Sequence, residues 1–332
     1  MSDVVWFSEI RSTDIERVGG KGANLGELTA RGIPVPPGFI VTAEAYSRFL
    51  AESGIDSLMH ELLAGATDDQ ISAHETANAI QSLVNQGSVP TDLTAAVAAA
   101  YAELGGGLVA VRSSATAEDL AEASFAGQQS TYLNVCGEGA VLRAIQECWA
   151  SLFEERAMVY RNQAGFDHAS FRIAVVVQSM VQSDRSGIMF TVNPVTGDTD
   201  DIVIEAILGL GEAAVSGKVA PDMYILDKTS LDIRQKEVSH QEQQLIRAGQ
   251  PVHGHEANSW VAIPATEAVA QKLEDDQIRT LAELDVLIED TAAGRRTSNG
   301  RSSRVSFTSS RPVQLPPPGP DCDTASPDAH VD

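Results

Sequence analysis

Cysteine, cations and long apolar runs are all scarce in this chain of 332 residues. The three cysteines, Cys136, Cys148 and Cys322, have neither metal-ligand spacing nor the even count of a disulfide framework. Lysine and arginine number 23 against 46 acidic residues, a formal charge of −23. That deficit argues against nucleic-acid backbones and acidic membrane surfaces as partners, since both need a basic face. A small anionic ligand stays compatible with it if a few cations converge locally. No apolar run approaches the roughly 18 residues that cross a bilayer. The opening MSDVVWFSEI lacks the basic stretch and apolar core of a signal peptide, so a cytoplasmic protein is expected. The seven histidines show no paired metal spacing, and neither a GxSxG elbow nor a catalytic Cys–His arrangement is present.

What is there is an alternation of short β-rich runs with helical patterns, the mark of an α/β or α+β architecture. Strands are expected at 38–42, 107–112, 130–135, 171–181, 186–192, 201–206 and 222–226. Helices are expected near 22–31, 42–53, 77–87, 91–104, 137–162 and 265–289. In the last of these Val269, Leu273, Ile278, Leu281, Leu284 and Leu287 recur at three- to five-residue steps, which reads as one helix face. The polar segment 233–258 reads as a hairpin or loop region. From Pro316 the composition cannot bury a core and predicts a disordered tail.

Four stretches could carry chemistry. VGGKGANLGEL (18–28) sets two glycines and Lys21 before a helical pattern. Such a helix start suits a phosphate, although by itself the motif reads first as a tight turn with a surface lysine. LVAVRSSATAEDLAEASFAGQQSTYLNV (108–135) runs a buried strand into Arg112, then a small-residue turn at Gly127, then a strand carrying Thr131. Arginine at a strand end offers a bidentate fork to phosphate oxygens, and Gly127 lets backbone approach a ligand. The alternative is a structural ion pair of Arg112 with Glu118 or Asp119. Gln178 interrupts the apolar strand IAVVVQSMV, where an amide can read a base edge or simply bond backbone. Glu205 and Glu212 flank a Gly-Leu-Gly turn and could meet a metal or ribose hydroxyls, or lie in water.

Taken in order and spacing, VGGKGANLGEL, IPVPPGFIVTAEAY, AVRSSATAEDLAEASFAGQQSTYLNV, VVVQSMV, SGIMFTVNPVTG and GLGEAAVSGKVAPDMY resemble one family over about residues 3 to 290. It is the N-terminal ATP-binding domain shared by phosphoenolpyruvate synthase, pyruvate phosphate dikinase and rifampicin phosphotransferase. The resemblance implies an ATP-grasp fold, with subdomains at 1–180 and 181–290 and ATP between them. It implies that the β-phosphoryl group of ATP passes to a histidine on a separate swivelling domain, leaving AMP, with Mg²⁺ on the phosphates. Lys21 and Arg112 would then grip phosphates, Gly127 and Thr131 would belong to the loop covering them, and Gln178 would contact adenine.

The resemblance also exposes two gaps. A glycine-rich turn leading to the acceptor histidine is absent from all seven histidine contexts, so that domain is expected in trans and the chain is expected to be truncated. The final acceptor, pyruvate or rifampicin, is left open. At the end of the domain the family carries a Gln-Asp-Ile-Glu-Trp block and a strand ending Val-Gln-Ser-Arg-Pro, whose Glu and Gln sit at metal and phosphates. Here Ser310, Arg311 and Pro312 match that ending, Arg311 with them as a phosphate contact, but Ser309 stands in place of the Gln. The block itself is missing, which leaves Glu205 and Glu212 as the metal candidates. A one-base shift of codons for Gln-Asp-Ile-Glu-Trp forces Lys or Arg, Thr or Ile, Leu or Ser, Asn or Ser, then Gly. Residues 296 to 300 are Arg, Thr, Ser, Asn and Gly. A frameshifted end is therefore expected over about 291–309, within a divergent segment at 291–315 that precedes the tail at 316–332. An inactive nucleotide-binding remnant is the alternative to an active transferase.

Overall fold

The computed structural model of the chain describes residues 2–65, 70–116, 130–164, 171–247, 258–293 and 304–309. Contacts divide it into two compact units, with the division after Met180.

The first unit is built on a five-stranded antiparallel sheet in the order β1-β2-β5-β3-β4. Its strands are β1 (Val4–Trp6), β2 (Gly38–Val41), β3 (Val109–Ala115), β4 (Thr131–Val135) and β5 (Ile173–Ser179). One face carries α1 (Ile15–Ala30). The other carries α2 (Ala43–Glu52), α3 (Ile55–Gly65), α4 (Gln70–Gln86), α5 (Thr91–Glu103), α6 (Glu138–Ala150) and α7 (Glu155–Ala164). Sequence accounts for these helices locally. Thr42 caps α2 by accepting from Ala45 N at 3.3 Å, and Tyr46, Phe49 and Leu50 then fall on its buried side. In α6, Val141, Ala144, Ile145, Cys148 and Trp149 make the matching stripe, and Trp149 stacks on Phe49 with ring centroids 4.8 Å apart. The expected helix over 137–162 is broken. After a 3-10 turn at Ser151–Phe153, Glu154 is extended, and α7 starts anew.

The second unit holds an antiparallel sheet in the order β12-β6-β7-β8-β9, made of β6 (Arg185–Phe190), β7 (Asp201–Leu208), β8 (Asp222–Asp227), β9 (Ile233–Glu237) and β12 (Arg304–Ser309). A two-stranded ribbon pairs β10 (Gln243–Arg247) with β11 (Asn258–Ala262). The helices are α8 (Glu212–Ser216), α9 (Ala265–Ala268) and α10 (Asp275–Ala293). Antiparallel pairing in every sheet makes the architecture α+β rather than parallel α/β. The polar segment expected as a hairpin or loop contributes β9 and β10. β12, an edge strand inside the divergent segment, ends at Ser309, where the resemblance places the end of a family strand.

The helix expected over 265–289 needs correction. Its chain turns at Val269–Glu274, α10 begins only at Asp275, and Val269 and Leu287 are exposed. The buried face of α10 is Ile278, Ala282, Asp285 and Ile288. The apparent periodicity ran across a break, and no single helix face spans one.

Candidate functional site

Alternation along β5 sorts its side chains. Val175 and Val177 enter the core under α2–α6, whereas Ala174 and Val176 enter the smaller core under α1. Gln178 therefore shares the α1 face. The register sets Arg112 directly opposite Val176 on one side and Thr131 on the other. Opposed residues of neighbouring strands point to the same face, so Arg112, Thr131 and Gln178 stand together. Lys21 joins them from α1, where its Nζ donates to the Ser113 carbonyl at 3.1 Å. Four of the residues singled out in the sequence thus lie on one side of the first unit's sheet. Gly127 and Arg311 lie outside the described residues, as do Glu118, Asp119 and residues 294–303.

Arg112 is half-buried with its Nε enclosed and unpartnered. Among the described residues no carboxylate pairs with it, and burial alone pulls its pKa below the ordinary arginine value. The guanidinium stays charged all the same. Gln178 is buried and its amide donates to the Pro36 carbonyl at 3.0 Å, which holds the side chain in place.

The lysine reaches this face because α1 is interrupted. Gly19, at φ 70° and ψ 169°, breaks the helix, which restarts at Gly20 with Lys21 in its first turn. That φ is cheap only for glycine. A Cβ at Gly19 would also lie 2.2 Å from the Ser114 hydroxyl. Ser114 and the Ser113 carbonyl were not foreseen as site atoms. The available signal was a pair of serines following Arg112 inside a strand otherwise made of Val and Ala.

The second unit holds Glu205 and Glu212 on different elements. Glu205 is half-buried on β7 opposite Ile188 and Met223. Glu212 opens α8 and accepts from Asn258 Nδ2 at 3.2 Å. Among the described residues no three acidic, histidine or cysteine side chains converge to hold a metal. None of the described helices is long and apolar enough to cross a membrane.

Comparison with known proteins gives a consistent answer. Residues 15–294 match the family model for the pyruvate phosphate dikinase AMP/ATP-binding domain. The chain is 42% identical over 296 residues to the probable phosphoenolpyruvate synthase of Methanocaldococcus jannaschii, covering 87% of this chain and 24% of that one. It is 41% identical over 327 residues to the phosphoenolpyruvate synthase of Pyrococcus furiosus, covering 86% and 40%. With the phosphoenolpyruvate synthase of Aeropyrum pernix it shares 46% identity over 253 residues, covering 73% and 30%. The chain thus spans between about a quarter and two-fifths of these relatives' lengths.

Proposed function

Because the chain belongs to the pyruvate phosphate dikinase AMP/ATP-binding domain family, we propose that it binds ATP on the α1 face of its first unit. Lys21 and Arg112 take the phosphates, Thr131 lies beside them, and Gln178 reads the adenine. Gly127 and Arg311 would complete the phosphate contacts, in an ATP-grasp arrangement. The observation that carries this reading is Arg112, a cation set in a sheet interior with no anion beside it among the described residues. An enclosed unpaired charge is unfavourable, and a bound phosphate relieves it with charge-assisted bonds.

The parent activity we propose is transfer of the β-phosphoryl group to a histidine on a swivelling domain supplied in trans. This chemistry depends on positioning and charge neutralisation, so cations and fixed amides matter more than a nucleophile. Mg²⁺ would arrive with the nucleotide, since it keeps waters and needs only one or two protein carboxylates beside phosphate oxygens. A second reading, nucleotide binding without transfer, is favoured by Ser309. It ends β12, opposite Arg185 of β6, where the family resemblance calls for a Gln.

Titration with ATP, AMP and adenosine tests the binding claim. Two phosphate-facing cations predict that ATP binds much more tightly than adenosine and that added salt weakens ATP most. Equal affinity for ATP and adenosine would remove the phosphates from this face.

A further inference from the structure

We propose that Ser114 is a positioning residue for Lys21, acting as a helix cap supplied from a different strand. At the start of an ordinary helix the N-cap side chain accepts a hydrogen bond from the second or third backbone N–H of the helix. In the restarted part of α1 the capping position falls on Gly19, which has no side chain. The Ser114 hydroxyl takes over that role. It accepts from Gly22 N, the third amide of the restarted helix, at 3.3 Å. It donates to the Val18 carbonyl, on the other side of the break, at 3.0 Å. The same atom lies where a Gly19 Cβ would point, at 2.2 Å, so glycine and serine are fitted to each other.

Ser114 is fully buried and sits next to Ser113, whose carbonyl holds the Lys21 ammonium at 3.1 Å. Strand β3 therefore grips both ends of one short segment, the amide of Gly22 through a hydroxyl and the side chain of Lys21 through a carbonyl. Arg112 is two residues away on the same strand face. One hydroxyl thus fixes the spacing between the two cations, although Ser114 itself need touch no ligand. Loss of the hydroxyl leaves a buried carbonyl and a buried N–H to find other partners, which shifts the turn that carries Lys21. The consequence for ATP rests on the nucleotide reading above; the placement of Lys21 does not.

Acetylation of lysines in the full chain without nucleotide, read residue by residue by mass spectrometry, tests the placement. Ser114→Ala should acetylate Lys21 several-fold faster while the exposed Lys218 keeps its wild-type rate. The buried Cys148 thiol should stay closed to a thiol reagent, which reports an intact core. Gly19→Ala attacks the same joint from the helix side and should release Lys21 likewise. Lys21 reacting at the wild-type rate in both variants would overturn the proposal, whatever the affinity for ATP. In ATP titrations Ser114→Ala should weaken binding several-fold in the wild-type background and hardly at all beside Lys21→Met. Equal weakening in both backgrounds would show that Ser114 acts through the fold and not through Lys21. A wild-type chain that binds no ATP would refute the nucleotide reading alone, because the labelling is read without it.

Discussion

Asp285 is fully buried on α10, and neither of its carboxylate oxygens has a hydrogen-bond partner. Burial pushes its pKa up to about 7, opposed by Lys228 and assisted by Glu289. An aspartate in the unfolded chain titrates near ~3.9. The folded state therefore retains a proton across a window in which the unfolded state has lost it. Stability contributed through this group falls as pH rises from about 4 to about 7, then levels off. Asp285→Asn should remove that slope, so the variant gains melting temperature over the wild type at pH 8 and gains little near pH 4. The free-energy gain at pH 8 should be on the order of a few kcal/mol, since each tenfold change in proton affinity is worth ~1.4 kcal/mol. A gap between the two melting temperatures that is the same at both pH values would contradict it. This residue also shows the limit of reading side chains from sequence. Arg112, Lys21 and Gln178 announced themselves as polar residues in apolar or glycine-rich settings. Asp285 looks like an ordinary surface acid, and Ser114 matters only because the helix start at Gly22, 92 residues earlier, bonds to it. Such partnerships across the fold leave no local pattern.

At the scale of elements, the turn between α9 and α10 is tied to β8 by a buried ion pair. Lys272 Nζ lies 3.0 Å from Asp222 Oδ1 with both side chains fully buried. Asp222 also accepts from Ser239 N at 2.9 Å, Lys272 N at 2.8 Å and the Tyr224 hydroxyl at 2.8 Å. Lys272 in turn donates to the Ser239 carbonyl. Every oxygen of the carboxylate is occupied, which is the condition under which a buried pair holds. Lys272→Met should leave Asp222 enclosed without its counter-charge and cost about 3–5 kcal/mol in urea unfolding. A loss below ~1 kcal/mol would mean that the backbone donors suffice alone. Asp222, the first residue of β8, lies within the family-like stretch GLGEAAVSGKVAPDMY, but its role as an anchor left no local pattern, because Lys272 lies 50 residues on. Most of the strands from β2 to β8 were legible because they carry a compact apolar run, as Gly38–Val41, Ile173–Ser179 and Asp201–Leu208 do. The ribbon β10–β11 read only as hairpin or loop, since a strand with one wet side needs few apolar residues, and β12 was suggested by the family resemblance and not by a pattern of its own.

At the scale of the whole molecule, Lys21, Arg112 and Gln178 fall in the first unit, and the strand ending at Ser309, where the resemblance calls for a Gln, falls in the second. β12 keeps its place beside β6, so the sheet retains this edge despite the divergent sequence around it. Ser309 offers a shorter and weaker donor set than the Gln that the resemblance calls for. Groups that neutralise charge developing during transfer affect the transition state more than binding. Given a phosphorylatable histidine domain in trans, the chain should form little or no AMP from ATP. Rebuilding Gln-Asp-Ile-Glu-Trp at residues 296–300 together with Ser309→Gln should raise AMP formation by orders of magnitude. Robust AMP formation by the unaltered chain would show that the missing block is dispensable, and Glu205 and Glu212 would be the next residues to replace.

The central claim, that an unpaired arginine in the first unit awaits a phosphate, is tested most directly by calorimetric titration of ATP into the wild-type chain and Arg112→Ala. The account predicts that the variant loses at least ~1.5–3 kcal/mol of binding free energy, the scale of a hydrogen bond to a charged group, while its melting temperature stays level or rises. Equal ATP affinity in the two proteins would contradict it.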